Sequence, residues 1–239
     1  MKNKIVAVIP ARSGSKRVKN KNIRELNGQP LIAYSILDSL RSKLIKQTIV
    51  STDSEEIANI AIKYGADVPF LRPANLASDT STDMDWILHF LEWYKEEEGD
   101  YPKYLVHLRP TSPIREPSII DNAISKFILY KEASSMRSIE ELPESPYKCF
   151  KMEKEFLQPI LPLDIKEYYN LPNQMFPKTY KANGYIDVLK TNTILRGSLH
   201  GNKILAYVTP RIPEIDTEED FLFAEHFYKK VIEQEQKKT

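Results

Sequence analysis

The sequence predicts an α/β protein with a mainly parallel sheet and helices on its faces, and three observations predict it. Short apolar runs alternate with helical patterns through the first ~130 residues, the texture of βαβ units. The first run, Ile5-Val6-Ala7-Val8-Ile9, is continuously apolar, as a buried strand is. At 239 residues the chain can bury a full core as one domain, residues 1–239, with room for a smaller appended unit.

In chain order, strands are expected at 4–9, 46–51, 68–71 and 103–108, and helices at about 30–43, 54–64, 82–98 and 116–131. Pro30 marks the first helix start, and Thr52 with Glu55 fits a capping box ahead of Ile57 and Ile60-Ala61. Ser81, Thr82 or Asp83 suits the N-cap of the third helix. The aspartates there, Asp79, Asp83 and Asp85, lack the glycine and distal glutamate of a calcium loop. From about 140 to 180 the texture changes. Pro143, Pro146, Pro159, Pro162, Pro172 and Pro177 interrupt any long helix, while Tyr147, Phe150, Phe156, Tyr168, Tyr169 and Phe176 supply aromatic surface. Such an insert suits an association surface, a folded-back lid or ordinary core packing. Strands at 183–189 and 203–208 follow, then an amphipathic helix from about 217 and a tail from Glu233 to Thr239 expected to fray. No internal repeat is present.

Composition excludes several classes of function. Thirty-four Lys and Arg against 33 Asp and Glu leave a formal charge of +1, so no global field recommends nucleic acid or an anionic membrane. No run reaches the ~18–20 apolar residues of a bilayer span, and the stretch after Met1-Lys2-Asn3-Lys4 is too short for a signal peptide. Cys149 is the lone cysteine, which excludes a disulfide framework or a cysteine metal site. A soluble, cytoplasmic chain is the expectation. His89, His107, His200 and His226 show no ligand spacing, and no Ser/His/Asp order stands out.

The most telling segment is Ile9-Pro10-Ala11-Arg12-Ser13-Gly14-Ser15-Lys16, continuing through Arg17 to Lys21-Asn22. At one strand end it gathers a glycine and two serines that let backbone amides approach an anion, a cluster of cations and an amide side chain. These groups suit a nucleoside triphosphate better than a metal, a membrane or a polynucleotide. The alternative is a surface turn with solvated lysines. It is not a P-loop, because the earlier glycine is missing and no Ser or Thr follows Lys16. Ligands of such sheets bind beyond the carboxyl ends of the strands. This loop, the Asp53 turn and the Arg109 turn all fall at that edge.

These residues resemble the signature of the CMP-sialic acid synthetase (acylneuraminate cytidylyltransferase) family. The similarity continues through Leu26-Asn27-Gly28-Gln29-Pro30-Leu31-Ile32, Ser51-Thr52-Asp53, and Arg72-Pro73 with Leu76-Ala77 and Asp79. It extends to Leu108-Arg109-Pro110-Thr111-Ser112-Pro113-Ile114-Arg115, Asn183-Gly184-Tyr185-Ile186, and Ile215-Asp216-Thr217 with Asp220-Phe221. The resemblance implies a Rossmann-like nucleotidyltransferase sheet with an inserted dimerisation arm at approximately 140–180, and hence a homodimer. It implies transfer of CMP from CTP to a nine-carbon 2-keto-3-deoxy sugar acid, with Mg²⁺ as cofactor.

The resemblance also assigns roles. Arg12 and Lys16 would take the β- and γ-phosphates, and Lys21 the α-phosphate, with Ser13, Gly14 and Ser15 beside them. Asn22 would read base or ribose, and Arg72 with Ser81 and Thr82 would border the cytosine. Arg17 and Lys19 are expected to be solvated. Glu214 and Asp216 alternate along an extended segment and could face one Mg²⁺; the competing reading makes Asp216 the cap of the last helix. The family pattern has Asp where Glu214 stands, so Asp216 is the firmer ligand. Arg109, with Thr111 and Ser112, lies where N-acetylneuraminic acid synthetases usually carry Gln. Asn173 replaces an Arg that commonly precedes Gln174. Both departures fall at presumed sugar contacts, which suggests another nonulosonic acid, such as legionaminic acid. Lys148, Gln174, Tyr180 and Asn183 are further sugar-contact candidates, some donated by a partner subunit, with ordinary surface or core roles as the alternative. A CMP-Kdo-type synthetase, a sugar-1-phosphate nucleotidyltransferase and a catalytically silent nucleotide-binding homologue are the rival readings.

Overall fold

The structure, a computed structural model, describes residues 4–236. In chain order the elements are β1 (Ile5–Pro10), β2 (Glu25–Leu26), β3 (Gln29–Pro30), α1 (Leu31–Arg41), β4 (Gln47–Ser51), α2 (Glu55–Lys63) and α3 (Asp83–Glu98). There follow β5 (Tyr104–His107), α4 (Pro117–Leu129), β6 (Ser135–Glu141), β7 (Phe150–Glu153), β8 (Phe156–Pro159), β9 (Tyr180–Lys190), α5 (Thr191–Leu195), β10 (Ile204–Val208) and α6 (Glu218–Gln236).

Six strands form the central sheet in the order β10-β6-β9-β5-β1-β4. Apolar β1 lies between parallel β4 and β5, with Val8 opposite both Ile49 and His107. β9 runs antiparallel to both neighbours, β5 and β6, so the sheet is mainly parallel, as expected. Alternation along β1 sorts side chains to two faces. Ile5, Ala7 and Ile9 pack with Ile32 and Ile36 of α1, Ile57 of α2 and Ile120 and Phe127 of α4. Val6 and Val8 pack with Trp86, Phe90 and Tyr94 of α3 and Ile194 of α5. Burying each such aliphatic or aromatic side chain contributes about 1.5–3 kcal/mol. A third cluster, Val18, Leu26, Leu31, Tyr34, Ile215, Phe221 and Ala224, ties α6 to the loop after β1.

Local expectations need four corrections. Residues 68–71 form no strand: Leu71 makes an isolated bridge to Thr52, and Asp67 just before them one to Ile49; Pro69 has no N–H to donate to a ladder. The α2 cap is Ser54, whose Oγ accepts from the Ile57 amide at 3.4 Å. Thr52 is buried and still paired, so its chain is extended there and cannot cap. β6 went unforeseen because Ser135, Ser138 and Glu140 are buried polar residues that hide its apolar alternation. The hairpin β7–β8, turning at Lys154 with φ of +57°, was also hidden among prolines. Helix α6 continues to Gln236; the rest of the tail expected to fray, residues 237–239, lies outside the described residues.

The segment at 142–179 contains this hairpin and has a small aromatic core of its own. Tyr147 stacks on Phe176 with ring centroids 5.6 Å apart, Phe150 meets Tyr169 edge-on at 5.0 Å, and Tyr168 is buried. Its outer surface leaves Met152 77%, Phe156 71% and Leu157 65% exposed.

Candidate active site

A cleft of about 520 Å³ opens at the carboxyl ends of β1 and β5. Its wall includes Arg12, Ser15, Lys16, Lys21, Asn22, Arg72, Ser81, Arg109, Thr111 and Asp216, so ten of the expected site residues meet in one place. Arg17, Val18, Asp79, Asp83 and Trp86 complete much of the lining.

The loop after β1 is shaped by hydrogen bonds from within the fold. Ala11 N extends the β1–β4 ladder to Ser51 O at 3.0 Å. The amide and hydroxyl of Ser13 donate to the two carboxylate oxygens of Asp53 at 2.8 and 2.6 Å. The Ser13 amide thus serves the loop and is not directed at an anion. Asn22, expected to read base or ribose, is buried and donates from Nδ2 to Arg12 O at 2.9 Å, pinning the loop from its other side. Asn20 takes a left-handed φ of +54°, which asparagine tolerates. The outcome is a bend that leaves Arg12, Lys16 and Lys21 facing the cleft.

Each of these cations has a carboxylate partner. Asp79 accepts from Arg12 Nη1 at 2.8 Å and also pairs with Lys16, and these two hold its carboxyl below the usual range, Lys16 first. Lys21 Nζ donates to Ile215 O at 2.8 Å and to Asp216 Oδ1 at 3.2 Å. Arg17, expected to be solvated, is 73% exposed at its side chain yet stands 4.0 Å from Asp216 Oδ2. Asp216 does not cap α6. Asp220 Oδ2 accepts from the amides of Asp216 and Thr217 at 3.0 and 2.8 Å, and the Asp220 amide donates to Thr217 Oγ1 at 3.2 Å. Thr217 and Asp220 do the capping, so the Asp216 side chain is left for the cleft.

Helix α3 and the β5 turn build the far wall. Thr82 caps α3, its amide and hydroxyl both donating to Asp85, so Thr82 lies behind the lining and Ser81 within it. Arg72 is buried, donates to Ser51 Oγ and O at 3.0 and 2.6 Å, and rests 5.3 Å from the Trp86 ring. Burial lowers its guanidinium to about 10, partly countered by Asp53 and Asp83. Trp86 Nε1 donates to Asp83 Oδ1 at 3.1 Å, and Arg109 reaches Asp83 and Asp187. Burial opposes ionisation of Asp83, but Arg109 and the hydrogen bond from the Trp86 indole outweigh it and keep its carboxyl low.

Other expected residues sit elsewhere. Ser112 and Asn183 are buried, with Ser112 Oγ donating to Asn183 O and Asn183 Nδ2 to Thr209 Oγ1 at 2.7 Å. Gly14, Lys148, Gln174 and Tyr180 do not line the cleft of the single chain. Asn173 is spent on the insert itself, bonding Ser145 N and Pro143 O at 3.0 Å each. Glu214 lies under the lining. A Cβ at Gly184, whose φ is +64°, would stand 3.1 Å from Glu214 Oε1 and 3.0 Å from Ser112 Oγ, so only glycine fits there. Burial and then the neighbouring Asp216 push the Glu214 carboxyl up.

That raised carboxyl beside a second carboxylate is an environment a cation would relieve. Among the described residues no group of three or more His, Cys, Asp or Glu could hold a metal ion. Magnesium, which takes one or two carboxylates and completes its shell with water and phosphate oxygens, fits the donor set of Asp216 and Glu214. Among the described residues, no helix is long and apolar enough to cross a membrane.

Comparison with known proteins follows the same direction. The family described as Cytidylyltransferase matches residues 6–153. The CMP-N,N'-diacetyllegionaminic acid synthase of Legionella pneumophila is 37% identical over 194 residues, 80% of each chain. The pseudaminic acid cytidylyltransferase of Campylobacter jejuni is 29% identical over 231 residues, 96% of this chain and 97% of that one. A solved CMP:2-keto-3-deoxy-manno-octonic acid synthetase complexed with CTP matches with a TM-score of 0.70 over 95% of this chain and 99% of that one; at 13% identity it bears on the fold alone.

Proposed function

The chain belongs to the cytidylyltransferase family and is a nucleotidyltransferase, and from that premise we propose that it transfers CMP from CTP to a nine-carbon 2-keto-3-deoxy sugar acid of the legionaminic or sialic type. The observation that carries this reading is the meeting of Lys21 and Asp216, 195 residues apart in sequence, in one cleft with Arg12 and Lys16. Relatives named for legionaminic and pseudaminic acids support the acceptor class.

Little covalent work falls to the protein in such a transfer; it must position two reactants and offset charge. Arg12 and Lys16 bind the β- and γ-phosphates, exchanging Asp79 for phosphate oxygens. Lys21 stands beside the α-phosphate. The anomeric hydroxyl attacks the α-phosphorus, a new P–O bond forms, the bond to pyrophosphate breaks, and the hydroxyl proton departs to solvent. Asp216, with Glu214 behind it, would hold Mg²⁺, which when bound supplies charge neutralisation at the phosphates. Arg72 and Trp86 form the floor for the base. Arg109 and Thr111 face the acceptor.

The insert completes the proposal. Its exposed Met152, Phe156 and Leu157 suit contact with a second copy of the chain, which would also bring Lys148, Gln174 and Tyr180 to bear on a neighbouring site. An eight-carbon acid is the competing acceptor. A silent binding homologue is disfavoured by the intact set of Arg12, Lys16, Lys21 and Asp216.

Pyrophosphate release with CTP, Mg²⁺ and a panel of eight- and nine-carbon keto-deoxy acids tests the reading. Turnover should be greatest with an acylated nine-carbon acid and absent without divalent metal. Lys21→Ala and Asp216→Ala should each lower turnover at least roughly 10²-fold, the scale of a lost electrostatic contact to the transition state. Near wild-type rates in both would remove them from the mechanism.

A further inference from the structure

Under the acceptor end of the cleft the sheet carries an unusual row of polar side chains. Antiparallel register places His107 opposite Asp187 and Arg137 opposite Asp187, so three neighbouring strands present these groups side by side. Asp187 is 1% exposed. Its Oδ2 accepts from Arg109 Nη1 at 2.7 Å, and its Oδ1 is 3.5 Å from Arg137 Nε. From the opposite side, Asp83 Oδ2 at the start of α3 accepts from Arg109 Nη2 at 3.0 Å. The imidazole of His107 is buried without a hydrogen-bond partner and, pushed down to about 3 by burial and then Arg109, is neutral.

Arg109 is therefore gripped by two carboxylates while one edge of it still lines the cleft. Two consequences follow from simple accounting. A guanidinium has five N–H donors in a fixed plane, and two are used in these bonds, which leaves three with a fixed aim. Its single positive charge is in direct contact with two carboxylates, one of which also stands 3.5 Å from Arg137. A guanidinium already paired with two carboxylates gives a third carboxylate little Coulombic reason to bind there.

We propose that Asp187 is a positioning residue for the acceptor: together with Asp83 it locks the Arg109 guanidinium and cancels its charge, so that Arg109 offers N–H donors to a neutral oxygen of the sugar acid and not a counter-ion to its carboxylate. This rests on the proposed reaction and assigns a recognition chemistry to one side of it. The acceptor's neutral hydroxyl or amide oxygens are read at the β5 turn, and its carboxylate is held by other groups.

The rival role for Arg109 predicts the opposite response to one substitution. Asp187→Asn keeps shape and removes one negative charge, which frees the Arg109 charge but loosens its aim. The KM for the best acid of the panel should rise about tenfold, with the KM for CTP within about twofold of wild type and little change in salt dependence. A KM for the acid that falls or stays unchanged, or that becomes strongly salt-sensitive, would show Arg109 acting as a counter-ion and overturn the proposal. Asp83→Asn, at the more accessible partner, should move the acid KM in the same direction. It serves as the test if Asp187→Asn does not melt cooperatively, and an unchanged acid KM there likewise overturns the proposal. Wild-type protein that binds CTP but releases pyrophosphate with no acid would remove the reaction and this role together. Wild-type activity with unresponsive variants removes the role alone.

Discussion

Asp79 shows what a single residue does in a site that must bind a highly charged ligand. It sits on Arg12 and Lys16, the two cations that the proposed reaction assigns to the terminal phosphates, and on that proposal its carboxylate occupies their place. Exposed ion pairs of this kind contribute only about 0–1 kcal/mol each, so a triphosphate can displace it readily. Asp79→Asn should therefore lower the KM for CTP about two- to fivefold, measurable in initial-rate assays; a raised KM would mean that Asp79 instead organises the loop. Legibility at this scale was uneven. Arg12, Lys16 and Lys21 were readable because strand end, glycine and cations coincide in a short segment. Asp79 and Asp83 stood out only as part of the resemblance and as a cap candidate, and Trp86 not at all, since their contacts with Arg12, Lys16, Arg109 and Arg72 come from what the fold brings opposite them. Asn173 illustrates the reverse, a residue type that suits ligands but is used by backbone groups nearby.

Helices and strands carry the site on a buried charged support. Arg115, wholly internal, donates to Tyr185 O at 2.6 Å, Ser35 Oγ at 2.9 Å, Gly184 O at 3.2 Å and Arg109 O, which joins α1, β9 and the β5 turn. Burial lowers it to about 10 despite Asp38 nearby. Asp38 on α1 is pushed up to about 7 by burial, against the pull of Arg115 and Arg41, and its Oδ2 has no hydrogen-bond partner. A carboxyl raised in the fold adds stability that is complete below its unfolded value near 4 and lost as pH rises through 7. Asp38→Asn mimics the neutral form. It should be more stable than wild type at pH 8, by about 1–4 kcal/mol on the scale of a three-unit shift, and the gain should vanish near pH 4. Thermal or urea melts across that range check it. Most elements of the parallel half were visible in the sequence, because continuous apolar runs and amphipathic helices alternate there. Strand β6 was not, since its buried serines and Glu140 depend on partners from β9 and the loop after β10.

At the scale of the molecule, the insert at 142–179 exposes a patch of large apolar side chains, Met152, Phe156 and Leu157. Its proline-rich texture was legible, but its hairpin was not, and a sequence cannot say which of its apolar residues face inward. The proposed pairing of two copies makes a direct prediction. In light scattering the wild-type mass should be about twice the 27.7 kDa of one chain, and Phe156→Asp with Leu157→Glu should return it to one chain at micromolar concentration. If a second copy contributes acceptor contacts, the same pair of substitutions should raise the KM for the acid more than that for CTP. The third apolar cluster has a separate implication for how the cleft is assembled. It seats Ile215 and Phe221 against Val18 and Leu31, joining segments far apart in sequence beside the cleft. The cationic bend is seated only when residues 215–224 fold against it, a long-range closure of the slow-forming kind. The contacts that bury Val18 are thus the same ones that bring Asp216 to Lys21, so core formation and cleft assembly are a single event.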